Sequence, residues 1–530
     1  MKKQRIEIYD TTLRDGSQGE GVNFTVEDKL KIAQRLDEFG ADYIEGGWPA
    51  SNPKDSEFFR RAKGLKLSHA KLAAFGSTRR AKVKAEEDEN LQALVACDTP
   101  VVTIFGKSWD MHVTHALKVS LQQNLEMIYD SVKFLKERVP QVIYDAEHFF
   151  DGYKNNPEYA VKTLIAAEEA GADILVLCDT NGGTLPMEVA QFMDEVRAKV
   201  HAPLGIHTHN DAECAVANSL VAVQHGAMHV QGTINGYGER TGNANLCSII
   251  PALVLKMGYE CLKPDSLRHL TALSGYIDEI ANMPHNHRMP YVGRSAFAHK
   301  GGVHVDAVLK HERTYEHIRP AAVGNERRIL VSELAGGATV AHHAQRLGLQ
   351  LDKSTPEVRK VLHRVAQLEN EGYSFEAAEA SFELMLMQQT GHYRKLFDLK
   401  GFRVIVEKRG DRGEVVTEAT VKVAVDGREM LTVAEGNGPV HALDSALRKA
   451  LMEFYPELAH IRLTDYKVRV VNVREGTAAK VRVIVESEDG GQTWSTTGVS
   501  TNIIEASWHA LVDSIEYGLL TMKPEVTETS

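Results

Sequence analysis

His207 and His209, two residues apart in Gly205-Ile206-His207-Thr208-His209-Asn210-Asp211, are the side chains of this sequence best placed to do chemistry together. An apolar run, Ala202-Pro203-Leu204, precedes them, and a small-residue apolar segment from Ala212 to Val223, closed by Gly226, follows. That order predicts a strand, a turn and a helix capped by Asn210 or Asp211. Side chains alternate faces along a strand, so both imidazoles point the same way and can share one metal ion. Such a pair also suits two polar groups at a strand's rim, and the surrounding sequence has to decide.

Short β-type runs begin near Ile6, Asp42, Lys71, Val101, Gln141, Asp173, Pro203 and His229, with helix-length segments between most of them. This rhythm predicts a (β/α)8 TIM barrel of the α/β class as the catalytic domain over residues 1–265. A doubly wound open sheet is the alternative, but no glycine-rich phosphate loop follows the first run. Active sites of such barrels lie at the C-terminal ends of the strands. Polar residues crowd there: Asp10 to Gly16, Glu45, Asp145 to His148, Asp179 to Gly182, the two histidines, and Asn235 to Asn245. Clusters recurring on one rim make a site the better account than solvation.

Beyond the barrel, residues 266–400 read as helical linker and lid subdomains. They contain the loop Ala298 to Asp306, whose paired Gly301 and Gly302 suit a moving lid. Residues 401–530 repeat a β…βα plan: Val421 to Gly427 leads to a helix from Val440, and Val481 to Ser487 with Trp494 to Ser500 leads to a helix from Ile503. An internal duplication of this kind predicts a pseudo-twofold α+β module for binding or dimerisation.

The 530 residues call for two or three domains, and 43% hydrophobic with 25% charged residues is a soluble globular composition. Sixty-one Lys and Arg against 72 Asp and Glu leave a net charge of -11, the wrong sign for nucleic acid or an anionic membrane as main partner. No apolar signal segment or membrane-length run is present, which predicts a cytoplasmic protein. The five cysteines are scattered without a CxxC pair, so neither a disulfide framework nor a zinc knuckle is expected.

DTTLRDG at 10–16, HTHND at 207–211, GERTGNANL at 238–246, GGVH at 301–304 and the duplicated C-terminal module together resemble the DRE-TIM metallolyases. Within them the chain is similar to the α-isopropylmalate, homocitrate and citramalate synthase group, which condenses acetyl-CoA with a 2-oxo acid. The stretch Glu45 to Asp55 resembles the branch whose acceptor is pyruvate.

The resemblance implies that Asp15, His207, His209 and Asn243 hold a divalent ion such as Mg²⁺, Mn²⁺ or Zn²⁺. It implies Arg14 at the ketone oxygen, Thr180 on the pyruvate carboxylate, and His304 as base with Tyr315 and Glu147 as orienting or relay partners. In relatives the His304 segment packs over the barrel of a partner subunit, so a homodimer with shared sites is expected. The C-terminal module resembles a feedback domain, with isoleucine as the expected effector near Gly436, Gly438 and Gly498. Rival readings are a larger acceptor such as 2-oxoisovalerate, a retro-aldol lyase, and a non-enzymatic amino-acid sensor. The lyases carry a Gly-Cys-Pro loop after the eighth strand, where this chain has Gly238-Glu239-Arg240-Thr241-Gly242-Asn243.

Overall fold

The structure is a computed structural model that describes residues 4–408, 410–411 and 413–522. It divides into two compact units: residues up to Phe297 with Ile318–Glu326, and Ala298–His317 with the chain from Arg327 onward.

Unit one is the barrel. Strands β1 (Glu7–Asp10), β2 (Tyr43–Gly47), β3 (Lys71–Ser77), β4 (Val101–Lys107), β5 (Gln141–Glu147), β6 (Ile174–Asp179), β7 (Leu204–Thr208) and β8 (His229–Gly232) form a closed barrel in sequence order. All neighbours are parallel, and β1 pairs with β8 from Glu7↔His229 to Asp10↔Gly232 to close it. The strands are nearly continuous in buried residues because helices cover the outside and side chains fill the inside. Tyr9, Tyr43, Ala73, Val101, Ile143, Ile174, Val176 and Cys178 form one buried inner cluster. The pleat then places every second residue toward the C-terminal mouth on the same inner side: Thr11, Glu45, Phe75, Phe105, Asp145, Glu147 and Thr180.

The helix after β7 begins later than its apolar pattern predicts. It runs Ala215–Gln224 behind an N-cap at Cys214. Asn210 still caps from a distance, its Oδ1 accepting from the Ala215 N–H at 3.2 Å, while Asp211 is drawn away into an ion pair with Arg240. A polar loop thus replaces the expected first helical turn.

In unit two, the segment read as a loop is structured. Ala298–His299 (β9) pairs in parallel with Arg328–Ile329 (β10), and a helix runs Gly302–Lys310. Helices Pro356–Glu371 and Glu379–Gln389 follow. The C-terminal module is duplicated as expected, with one more strand in each half than the sequence pattern revealed. Antiparallel β11 (Asp398–Lys408), β12 (Val415–Val425) and β13 (Arg428–Gly436) carry helix Pro439–Leu451; β14 (Arg462–Val470), β15 (Val481–Glu488) and β16 (Thr493–Ser500) carry helix Ile503–Thr521. β11 and β14 are edge strands exposed along most of their length; Phe402, Val404 and Val406 alternate in one and Tyr466, Val468 and Val470 in the other, but less of that face is buried than in β12 and β15. The duplication extends to single bonds: Thr432 Oγ1 donates to the Ala446 carbonyl at 2.7 Å, and Thr496 Oγ1 to the Ala510 carbonyl at 2.6 Å. Among the described residues no helix is long and apolar enough to cross a membrane.

Candidate active site and metal centre

His207 is the inward-facing residue of β7, and His209 continues the alternation just beyond it, so the pleat aims both imidazoles into the mouth. Their rings lie 5.2 Å apart. Asp15 follows β1, and its Oδ2 is 3.5 Å from His207 Nε2 and 3.9 Å from His209 Nε2. These three groups are buried, and one ligand atom from each falls within 4.8 Å of the others.

Asn243 arrives from the loop after β8. A backbone bridge pairs it with His209, and the Ala244 N–H donates to the Thr208 carbonyl at 2.9 Å. Gly238 makes this path possible: its φ is +156°, and a Cβ there would stand 2.2 Å from Asn243 Nδ2. Asn235 and Tyr237 brace the loop from below by hydrogen bonds to Asp278.

The electrostatics fit a cation. Burial raises the Asp15 carboxyl, but the Arg14 charge, then His207, His209 and the Asn243 amide outweigh it and hold it well below the usual carboxylate range. Burial lowers both imidazoles, His209 to about 4, so each is neutral at pH 7 and keeps a lone pair for a metal. Asp15 Oδ1, His209 Nδ1 and Asn243 Oδ1 are buried without a hydrogen-bond partner among the described residues. One carboxylate, two neutral imidazoles and an amide oxygen form a donor set that suits a divalent ion.

A supporting layer lies deeper in the barrel. His207 Nδ1 stands 3.0 Å from Gln231 Oε1, and Gln231 Nε2 donates to Asp145 Oδ1 at 3.0 Å. The Asp145 carboxyl is pushed well up by burial and then by the Glu45 charge. Arg14 pairs with two carboxylates. It donates from Nε to Glu45 Oε2 at 2.6 Å and from Nη1 to Asp15 Oδ2 at 3.0 Å, with its guanidinium 3.7 Å over the Phe75 ring. Glu45 also accepts from Tyr9 OH at 2.6 Å and from Thr11 Oγ1. The sequence identified Glu45 and Asp145 as rim carboxylates without a partner, and it gave Gln231 no role. Polar residues at alternate positions of β8 and just beyond it, His229, Gln231 and Thr233, were the available signal.

Phe75 and Phe105 stack at 5.6 Å, and Trp48 meets each edge-on, which makes the wall beside Arg14 bulky and aromatic. Thr180 Oγ1 accepts from the His148 N–H at 2.9 Å, leaving its own proton free to donate. Glu147 is ion-paired with Lys107. His304 and Tyr315 belong to unit two, where their rings stack at 4.2 Å and both are exposed. Gly436 ends β13 and Gly498 lies inside β16 rather than at a strand-to-helix junction; a Cβ on either would strike the adjoining helix backbone. Gly438 is the N-cap of helix Pro439–Leu451 and faces open space.

A second grouping, His343 with Glu379 and Glu383, has the residue types of a metal site but is an ion-pair network. His343 Nε2 faces the Ile329 carbonyl at 3.2 Å, Tyr517 OH donates to Glu383 Oε2 at 2.6 Å, and Arg346 holds Glu379.

A closed barrel with this mouth defines the HMGL-like class, whose family model matches residues 5–273. Two further matches follow along the chain, the homocitrate synthase post-HMGL domain-like model at 291–372 and the LeuA allosteric (dimerisation) domain at 376–519. Among curated proteins, the chain is 57% identical to an (R)-citramalate synthase of Geobacter sulfurreducens over 97% of both chains. It is 56% identical to one of Aquifex aeolicus over 98% of this chain and 99% of that one. A probable 2-isopropylmalate synthase of Methanopyrus kandleri is 32% identical over 96% and 98%. The chain belongs to the (R)-citramalate synthase family.

Proposed function

We propose that this protein condenses acetyl-CoA with pyruvate and water to give (R)-citramalate, CoA and a proton, on a divalent metal ion held by Asp15, His207, His209 and Asn243. The observation that carries the reading is the buried Arg14, Asp15, His207, His209 and Asn243 constellation, in a chain so similar to named citramalate synthases over nearly their whole length.

When bound, the metal supplies Lewis acidity at the keto oxygen of pyruvate. The rest falls to the chain's own groups. Arg14, fixed by Glu45, donates to the same oxygen as its negative charge develops. Thr180, whose oxygen is already engaged, donates to the pyruvate carboxylate. The aromatic wall of Trp48, Phe75 and Phe105 fits a methyl substituent and disfavours a branched one.

His304 takes the acetyl methyl proton, with Tyr315 stacked on its ring to set its orientation. Glu147, tied to Lys107, orients substrate. The methyl carbon attacks the keto carbon, and water then cleaves the thioester, which draws the reversible condensation forward. The active form is a homodimer in which one subunit supplies His304 to the barrel of the other, a reading supported by the matched dimerisation domain. That domain also supports feedback by isoleucine bound near Gly436, Gly438 and Gly498 in a cytoplasmic enzyme of isoleucine synthesis.

The test is release of CoA thiol from acetyl-CoA with Mg²⁺ or Mn²⁺, comparing pyruvate, 2-oxoisovalerate and 2-oxoglutarate. Pyruvate is the preferred acceptor, and chelation abolishes release. Preference for 2-oxoisovalerate would make it an isopropylmalate synthase, and silence with all three would remove the synthase reading.

A further inference from the structure

The rim above β4 and β5 holds polar groups that none of the steps above uses. Directly after β4, Trp109 and His112 bring their rings to 5.0 Å, and His112 meets His148, at the end of β5, edge-on at 4.3 Å. Trp109 Nε1 and His112 Nδ1 are both buried, and neither has a hydrogen-bond partner among the described residues. Buried polar nitrogens are normally hydrogen-bonded, so two unpartnered ones side by side are an exception.

The groups are held in place. A Cβ on Gly152 would stand 2.6 Å from the Ser108 carbonyl and 2.9 Å from Trp109 Cα, so helix Phe149–Asn155 sits directly on the Trp109 backbone. Asp110 accepts from Asn155 Nδ2 at 2.9 Å and from Asn156 Nδ2 at 3.1 Å. His112 opens a π-helical stretch, His112–Leu117, a local distortion that often marks functional positions. His148 stands at φ +55° with its N–H on Thr180. Burial, then the charges of His148 and Lys107, lowers the His112 imidazole, so it is neutral at pH 7 and one ring nitrogen accepts. Glu147 and Asp151 face it as well and act in the opposite direction.

Trp109 Nε1–H is a donor, and with its proton on Nε2 the His112 ring offers an acceptor at Nδ1; the two together complement one amide, whose carbonyl accepts while its N–H donates. Of the two substrates proposed above, only the thioester carries amides, in the arm that leads to its sulfur. We infer that Trp109 and His112 bind an amide of the acyl-CoA arm, Nε1–H of Trp109 donating to its carbonyl and Nδ1 of His112 accepting from its N–H. The inference rests on the acetyl-CoA reading of the site. It makes the two residues positioning groups for the thioester, remote from the reacting carbons.

The experiment uses the full-length metal-loaded enzyme and the variants Trp109→Phe, His112→Phe and His112→Asn. Trp109→Phe keeps an aromatic ring and removes the donor. His112→Asn keeps a polar atom near the Nδ1 position, whereas His112→Phe does not. Trp109→Phe and His112→Phe raise KM for acetyl-CoA about tenfold, as loss of one hydrogen bond to a buried partner predicts, with kcat and the KM for pyruvate unchanged. His112→Asn restores most of the loss.

Calorimetric titration with CoA alone gives the same order of affinities without turnover. KM for acetyl-CoA and CoA affinity within twofold of wild type in both phenylalanine variants would overturn the inference and leave the rings as packing. A wild-type enzyme that neither turns over acetyl-CoA nor binds CoA would overturn the acetyl-CoA reading itself, and this inference with it.

Discussion

The Nδ1 nitrogen of His207 is 3.0 Å from Oε1 of Gln231, an oxygen that can only accept. The proton therefore sits on Nδ1, and Nε2 is left with its lone pair toward Asp15. Gln231 Nε2 in turn donates to Asp145 Oδ1 at 3.0 Å. Such outer partners fix the tautomer and the ring of a metal-binding histidine. Gln231→Leu removes that control, and the affinity for Mn²⁺, measured by titration, falls about 10- to 100-fold while the fold is retained.

Arg14 owes its position to Glu45, a fully buried carboxylate. Arg14→Ala removes a donor to the developing oxyanion and lowers kcat about 10²- to 10³-fold, with metal binding retained. Glu45→Gln acts on the same pair. It leaves a buried guanidinium short of its counter-charge, which costs about 3–5 kcal/mol when a buried pair is broken. Arg14→Ala breaks the same pair from the other side and leaves Glu45 buried without its cation, so a fall in melting temperature accompanies the loss of rate in both variants.

Asp10 gives the stability of the barrel a pH dependence. Burial pushes its carboxyl up to about 7, despite hydrogen bonds from the Thr12 N–H and hydroxyl. An unfolded aspartate loses its proton near pH 4. Between about pH 4 and pH 7 the folded state thus holds a proton the unfolded state has released, so this contribution to stability is full below pH 4 and declines as pH rises through 7. In Asp10→Asn that decline disappears, and denaturant unfolding at pH 5 and pH 7.5 shows a smaller difference than in wild type.

The stacked pair Phe75 and Phe105 narrows the space beside Arg14. Phe105→Ala opens it. The ratio of kcat/KM for 2-oxoisovalerate to that for pyruvate rises at least about tenfold, the scale on which a hydrophobic pocket discriminates small changes in side-chain size. An unchanged ratio would show that the acceptor's substituent lies elsewhere.

The order of elements was legible in the sequence because β-type runs and helix-length segments alternate. The eight strands lie within a residue or so of where the apolar runs begin, from Glu7–Asp10 to His229–Gly232. The two histidines were legible for the same local reason: a period of two on a strand decides which side chains share a face, whatever the strand packs against. Exposed β11 and β14 were less legible, since the alternation of Phe402, Val404 and Val406 and of Tyr466, Val468 and Val470 is short and set among charged residues. The helix after His209 started late because Asp211 found an ion-pair partner, Arg240, far along the chain.

By itself, then, the sequence determined the barrel, the inward aim of His207 and His209, and the duplicated module, all of which follow from short-range periodicity. Only the tertiary structure decided that Asp15 and Asn243 meet those histidines, that Arg14 leans on Glu45, and that Gln231 and Asp145 stand behind His207. Those partners are 31 to 86 residues apart in the pairs Arg14–Glu45 and Asp145–Gln231. Barrel closure brings them together, and desolvation at the mouth sets their charges, neither of which local pattern encodes.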